Sequence, residues 1–162
     1  MIIDKTSASA ATSRLLLGAT LDCFRVYSTI LQLAFYRDAA EEGLPNEVWI
    51  SCSGNVTTRH ASSESNVGSP GDSDFFTARK NVLGEIYNQI GAVVDRVFLD
   101  ESGVLKLDLA GMEIEFRPDK DCFEEVWAVM SDSPNSSEPH DWYIALDDAR
   151  QLGGTIPATS DS

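Results

Sequence analysis

The chain has 162 residues with a 43% hydrophobic content, enough for one domain with its own core, and it carries 26 Asp plus Glu against 12 Lys plus Arg. The formal net charge of −14 sits mostly after Gln89: residues 1 to 89 hold 10 acids and 7 bases, residues 90 to 162 hold 16 acids and 5 bases. An excess of this size repels nucleic acid and anionic membrane and attracts cationic surfaces, so direct nucleic-acid and membrane partners are excluded by charge.

Residues 1–13, rich in Ser, Thr and Ala, read as a flexible N-terminus, residues 14–154 as a single α+β domain, and residues 155–162 as a flexible C-terminus. Leu15 to Leu17 is too short an apolar run for a signal segment or a membrane span, which points to the cytoplasm. Cys23, Cys52 and Cys122 are odd in number and lack CxxC spacing, as free thiols in a reducing compartment do; Cys23 and Cys52 read as small core residues.

Gly18-Ala-Thr-Leu-Asp-Cys-Phe24 recurs 73 positions later as Gly91-Ala-Val-Val-Asp-Arg-Val97. Each copy leads into two more strand-like runs, Ile30 to Phe35 and Glu47 to Cys52 in the first, Val104 to Leu109 and Met112 to Arg117 in the second. The pattern predicts two duplicated three-stranded meanders, over about residues 15–59 and 90–130, in a mostly antiparallel sheet. The second is the better specified. Leu105, Leu107 and Leu109 alternate with Lys106 and Asp108, and Met112, Ile114 and Phe116 with Glu113, Glu115 and Arg117, one face buried and the other charged. Asp100 to Gly103 and Ala110-Gly111 supply the turns. Asp100-Glu-Ser-Gly103 lacks the spacing of a calcium loop.

Between the meanders, His60 to Asp72 reads as a mobile loop. Residues 74–89 read as the one packing helix, capped by Ser73 or Asp74, with Arg79, Val82, Leu83 and Ile86 among its inward positions. Phe123 to Met130 is either a strand or a short helix, Ser131 to Pro139 a polar loop, Asp141 to Ala145 a short strand, and Asp147 to Leu152 a helical turn stopped by Gly153-Gly154.

The sequence carries little recognisable chemistry. His60 and His140 are the only histidines and neither has metal-ligand spacing. No Gly-x-Ser-x-Gly elbow and no phosphate-binding loop is present. Adjacent acids such as Glu124-Glu125 and Asp147-Asp148 read as solvated charges. The sequence therefore predicts no catalytic residue, no metal, no cofactor and no enzyme activity.

The acids that remain cluster late in the chain. Asp119, Asp121, Glu124, Glu125, Asp132, Glu138, Asp141, Asp147 and Asp148 fall close together, accompanied by Trp142 and Tyr143. Aromatic anchors beside carboxylates suit an interface with a cationic protein, the rings supplying buried area and the acids speeding encounter. Trp49 and Trp127 are expected in the core and Trp142 at the surface. In Gly91 to Val97, Asp100 to Leu107 and Glu125-Val-Trp127 the chain resembles immunity proteins of bacterial polymorphic toxins, including those of contact-dependent growth inhibition. The resemblance implies a cytoplasmic inhibitor, monomeric or weakly dimeric when free, that binds a toxin domain, often a basic nuclease. Two alternatives are a small-ligand-binding domain with a cleft between the duplicated halves and a nucleic-acid mimic acting on a defence protein.

Overall fold

The computed structural model describes residues 1–38, 43–60, 75–119 and 125–157. Along the chain these form α1 (Lys5–Leu16), β1 (Thr20–Tyr27), β2 (Ile30–Tyr36), β3 (Glu47–Cys52), β4 (Asn55–His60), α2 (Phe75–Tyr87), β5 (Val94–Leu99), β6 (Leu105–Leu109), β7 (Met112–Arg117), β8 (Glu125–Ser131), β9 (Tyr143–Asp147) and β10 (Leu152–Thr155). The fold is α+β with two antiparallel sheets, a six-stranded one in the order β1-β2-β3-β8-β9-β10 and a four-stranded one in the order β4-β7-β6-β5. Their inner faces meet in one core that includes Leu33, Phe35, Ile50, Leu107, Ile114, Phe116 and Trp127.

Both predicted meanders are present, β1-β2-β3 and β5-β6-β7, one in each sheet. The segments that echo each other in sequence also pair in space. The Gly18 amide donates to the Val94 carbonyl (3.0 Å) and the Gly91 amide to the Leu21 carbonyl (2.8 Å); the Leu21 amide donates to Ala92 (2.9 Å) and the Val94 amide to Ala19 (2.9 Å). A shift of 73 positions turns one bond of each couple into the other. Thr20 bridges Val93, its own counterpart, so a local pseudo-twofold axis passes through that bridge. Gly18 and Gly91, at φ of 78° and 91°, occupy the left-handed region that glycine enters without strain, and each turns the chain from a helix into the paired segment. A β-bulge follows at matching places, between Leu21 and Cys23 in β1 and between Val94 and Arg96 in β5.

The two halves also exchange a strand. β4 follows β3 but joins the other sheet, pairing with β7 so that Val56 faces Phe116. β8 makes the reverse crossing and pairs with β3, so that Trp127 faces Cys52. Trp127 is fully buried and its indole N–H donates to the Gly103 carbonyl (2.8 Å), tying β8 to the β5–β6 turn of the opposite sheet. That turn is held by Asp100, whose carboxylate accepts the amides of Ser102 (2.8 Å) and Val104 (2.9 Å).

Three expectations change. The N-terminus is not frayed: Asp4 caps α1 by accepting the Ser7 amide (2.9 Å), and Ala8, Ala11, Thr12, Leu15 and Leu16 form a buried stripe. Alanine is the best helix former and its small side chain lets the helix sit close to the core, which a composition-based reading takes for disorder. The described residues thus hold two helices rather than one, α1 beside β5 and α2 beside β4. Residues 147 to 152 form a turn into β10 rather than a helical turn, and β10 is edged by the N-terminus, Ile2 bridging Gly153 and the Ile3 amide reaching the Leu152 carbonyl (3.0 Å). Phe123 to Met130 resolves as strand from Glu125 onward. The Ser73 and Asp74 cap, the loop after His60 and residues 158–162 of the expected C-terminal tail lie outside the described residues.

The crossing from β3 to β4 is the tightest point. Ser53 and Gly54 both donate to the Val126 carbonyl (3.0 and 3.2 Å), and a Cβ on Gly54 would meet the Arg117 carbonyl oxygen at 2.3 Å. Gly54→Ala should therefore lower stability by about 2 kcal/mol in urea unfolding, because backbone on both sheets must part. An unchanged midpoint would mean the crossing is not closely held.

Candidate functional site

The β8–β9 register divides the expected acidic surface, with Glu125 and Asp147 at one end of the pair and Asp132 and Asp141 at the other. Asp119, Asp132, Glu138, Asp141 and Asp148 are exposed, and Asp147 is half-buried, its carboxylate accepting the Gln151 amide (2.7 Å). Asp121 and Glu124 lie outside the described residues. The aromatic anchors are used differently from the expectation. Trp142 is only 4% exposed and belongs to the core, with the Arg14 guanidinium 5.5 Å from its ring centre. Just ahead of β9, it continues the inward side of Ile144 and Leu146, an alternation masked in sequence by the preceding Pro139-His-Asp segment. The Tyr143 hydroxyl donates to the Glu125 carboxylate. Burial raises the Glu125 pKa against that hydrogen bond, and burial together with the carboxylate raises that of Tyr143.

A denser charge cluster lies on the outer face of the four-stranded sheet. Register sets it in two rows, Arg96–Asp108–Glu113–Arg59 and Phe98–Lys106–Glu115–Thr57, running from β5 through β6 and β7 to β4. The bulge in β5 adds Asp95, whose carboxylate accepts the Ala110 amide (3.2 Å). Arg96 pairs with Asp108 at 2.7 Å. Glu115, only 3% exposed, takes Lys106 at 2.7 Å and also Arg117, while Glu113 has Lys106 no nearer than 3.9 Å.

These contacts split the two neighbouring glutamates. Burial raises the Glu115 pKa, but the hydrogen bonds from Lys106, Arg117 and Glu113 outweigh it and bring it from 4.5 to about 2. Burial, the contact with Glu115 and the charge of Asp108 raise the pKa of Glu113, with Lys106 opposing. Glu115 is the fixed anion of the face, and Glu113 is a carboxyl short of a cation.

Two adjoining surface concavities open here, of about 520 and 380 Å³. Asp95, Arg96, Asp108 and Glu113 line both; Leu17, at the end of α1, and Phe98 wall the larger, and Arg59 borders the smaller. Leu17 and Phe98 are 49% and 58% exposed, large apolar surface beside carboxylates. Such a surface can hold a cationic group with an apolar stem. Among the described residues no group of three His, Cys, Asp or Glu is arranged to hold a metal ion, and no helix is long and apolar enough to cross a membrane.

From sequence, Asp108, Glu113 and Glu115 read only as the solvent face of a hairpin. Their alternation and the short Ala110-Gly111 connection already put them side by side; the bulge that adds Asp95 and the helix that adds Leu17 had no such signal. Set against known proteins, the chain matches no family model, no curated protein and no solved structure.

Glu115 links this face to acid stability. Its folded pKa of about 2 lies below the ordinary 4.5, so the unfolded chain binds more protons in that window and the Glu115 contribution is lost as pH falls from 4.5 towards 2. Glu113 acts in the opposite sense, favouring the fold most when protonated. Glu115→Gln should cost about 1.5–3 kcal/mol at neutral pH, the worth of hydrogen bonds to a charged group, and flatten the acid limb in thermal melts across that window. A variant whose acid limb keeps the wild-type slope would contradict this assignment.

Proposed function

We propose that this chain is a non-enzymatic binding protein that engages a cationic protein, in the role an immunity protein plays towards a basic toxin domain. The observation that carries the reading is the outer face of the four-stranded sheet, where carboxylates and exposed apolar side chains adjoin in a chain of net charge −14. Carboxylates so placed compete with phosphate for a partner's Lys and Arg, and the surrounding negative field accelerates encounter. The exposed acids Asp132, Glu138, Asp141 and Asp148 contribute to that field without the aromatic anchoring expected of their segment. The immunity-type reading adds a cytoplasmic location and a toxin as the partner.

Capture of the tagged protein from cells co-expressing its neighbouring reading frames, at low and high salt, tests the reading. A stoichiometric basic partner that is toxic when expressed alone supports it; no partner at either salt counts against it. With that partner in hand, the double reversal Asp95→Lys/Glu113→Lys should slow association about tenfold at low salt and much less at high salt. Stopped-flow rates indistinguishable from wild type would remove this face from the interface.

A further inference from the structure

The internal duplication shows what closes this kind of face. In the first half the row matching Arg96–Asp108–Glu113–Arg59 is Cys23–Ala34–Trp49–Met130. There the chain supplies its own cover: the Arg25 guanidinium lies 4.0 Å from the Trp49 ring centre and Trp49 is 6% exposed. Arg25 is further fixed by donating to Ser133 Oγ (3.0 Å). In the second half the counterpart of Arg25 is Phe98 and the counterpart of Trp49 is Glu113, by the same register. No guanidinium from the described residues covers the second face in this way, and the concavity of about 520 Å³ opens instead.

We infer that this concavity receives an arginine side chain of the partner, its guanidinium between Asp95 and Glu113 and its stem against Phe98 and Leu17. The inference rests on the reading of the partner as a cationic protein. A planar guanidinium with five donors can serve two carboxylates at once and stack on an aromatic ring, which an ammonium does less well. Arg96 and Lys106 are engaged by Asp108 and Glu115. Glu113, with its raised pKa, is the carboxyl that a further cation would relieve. Phe98 offers the stacking surface that Trp49 offers to Arg25.

The test is an NMR titration of the intact protein with N-acetyl-arginine methylamide and, separately, its lysine analogue. Amide shifts confined to Asp95, Arg96, Phe98, Asp108, Glu113 and their neighbours are expected, with binding about threefold or more tighter for the arginine probe. Asp95→Asn/Glu113→Gln should weaken it about tenfold, and the exposed Phe98→Ala severalfold; the dispersion of each spectrum reports that the variant is folded. Shifts spread over residues 132–148, equal affinity for both probes, or binding unaffected by the double variant would each overturn the inference. A cationic partner that still binds the double variant at wild-type affinity overturns the arginine site and leaves the binding-protein reading standing. Arginine probe bound on this face of a chain that captures no cationic protein does the reverse.

Discussion

The pairing of Gly18 to Leu21 with Gly91 to Val94 is the constraint on which the rest of the architecture depends. It brings the first strands of the two meanders together at one end and lets them diverge into different sheets. With β1 and β5 fixed at that point, the inner faces of the sheets are turned towards each other and a shared core follows. The left-handed glycines matter because each, two residues before the bridge, lets the chain arriving from a helix turn into the paired segment. The helices then differ in use, α1 lying beside β5 and α2 beside β4, where Glu85 meets His60 at 2.5 Å.

On this common frame the two outer faces have diverged. The first carries a small second core of Ala34, Trp49, Ala128, Met130 and Ala145. The second carries charges in register, organised around one nearly buried carboxylate. Glu115 is tolerable there because two cations and a neighbouring carboxyl complete its hydrogen bonding, as a buried anion requires. The arrangement leaves Glu113 undercompensated, and a face of mixed charge and exposed aromatic surface results.

Much of the fold was legible because period-two alternation is strong where one strand face is buried. Leu105 to Arg117 shows it plainly, and so does the echo that begins at Gly18 and Gly91. The first helix was not legible, since its inward stripe is largely alanine and threonine and produces little contrast in hydropathy. Trp142 was misplaced for a related reason: two residues of a short strand gave too little alternation to outweigh the polar loop before it. The candidate site was visible only in pieces. Neighbours across a hairpin can be inferred from turn length, but a bulge that adds an acid and a helix end that adds a leucine are tertiary facts.

The strand exchange has a consequence for how the chain acquires its structure. During synthesis the first half emerges with β3 lacking its outer neighbour and β4 lacking any sheet to join, because β8 and β7 are made later. Each meander forms from neighbouring strands, but neither sheet can be completed by local contacts alone, so productive folding waits on pairings distant in sequence, the kind that make folding slow and leave strand edges exposed meanwhile. The nascent N-terminal half is thus the state most in need of shielding from its neighbours on the ribosome, and release from that risk comes only when Glu125 to Ser131 has been translated and laid against β3.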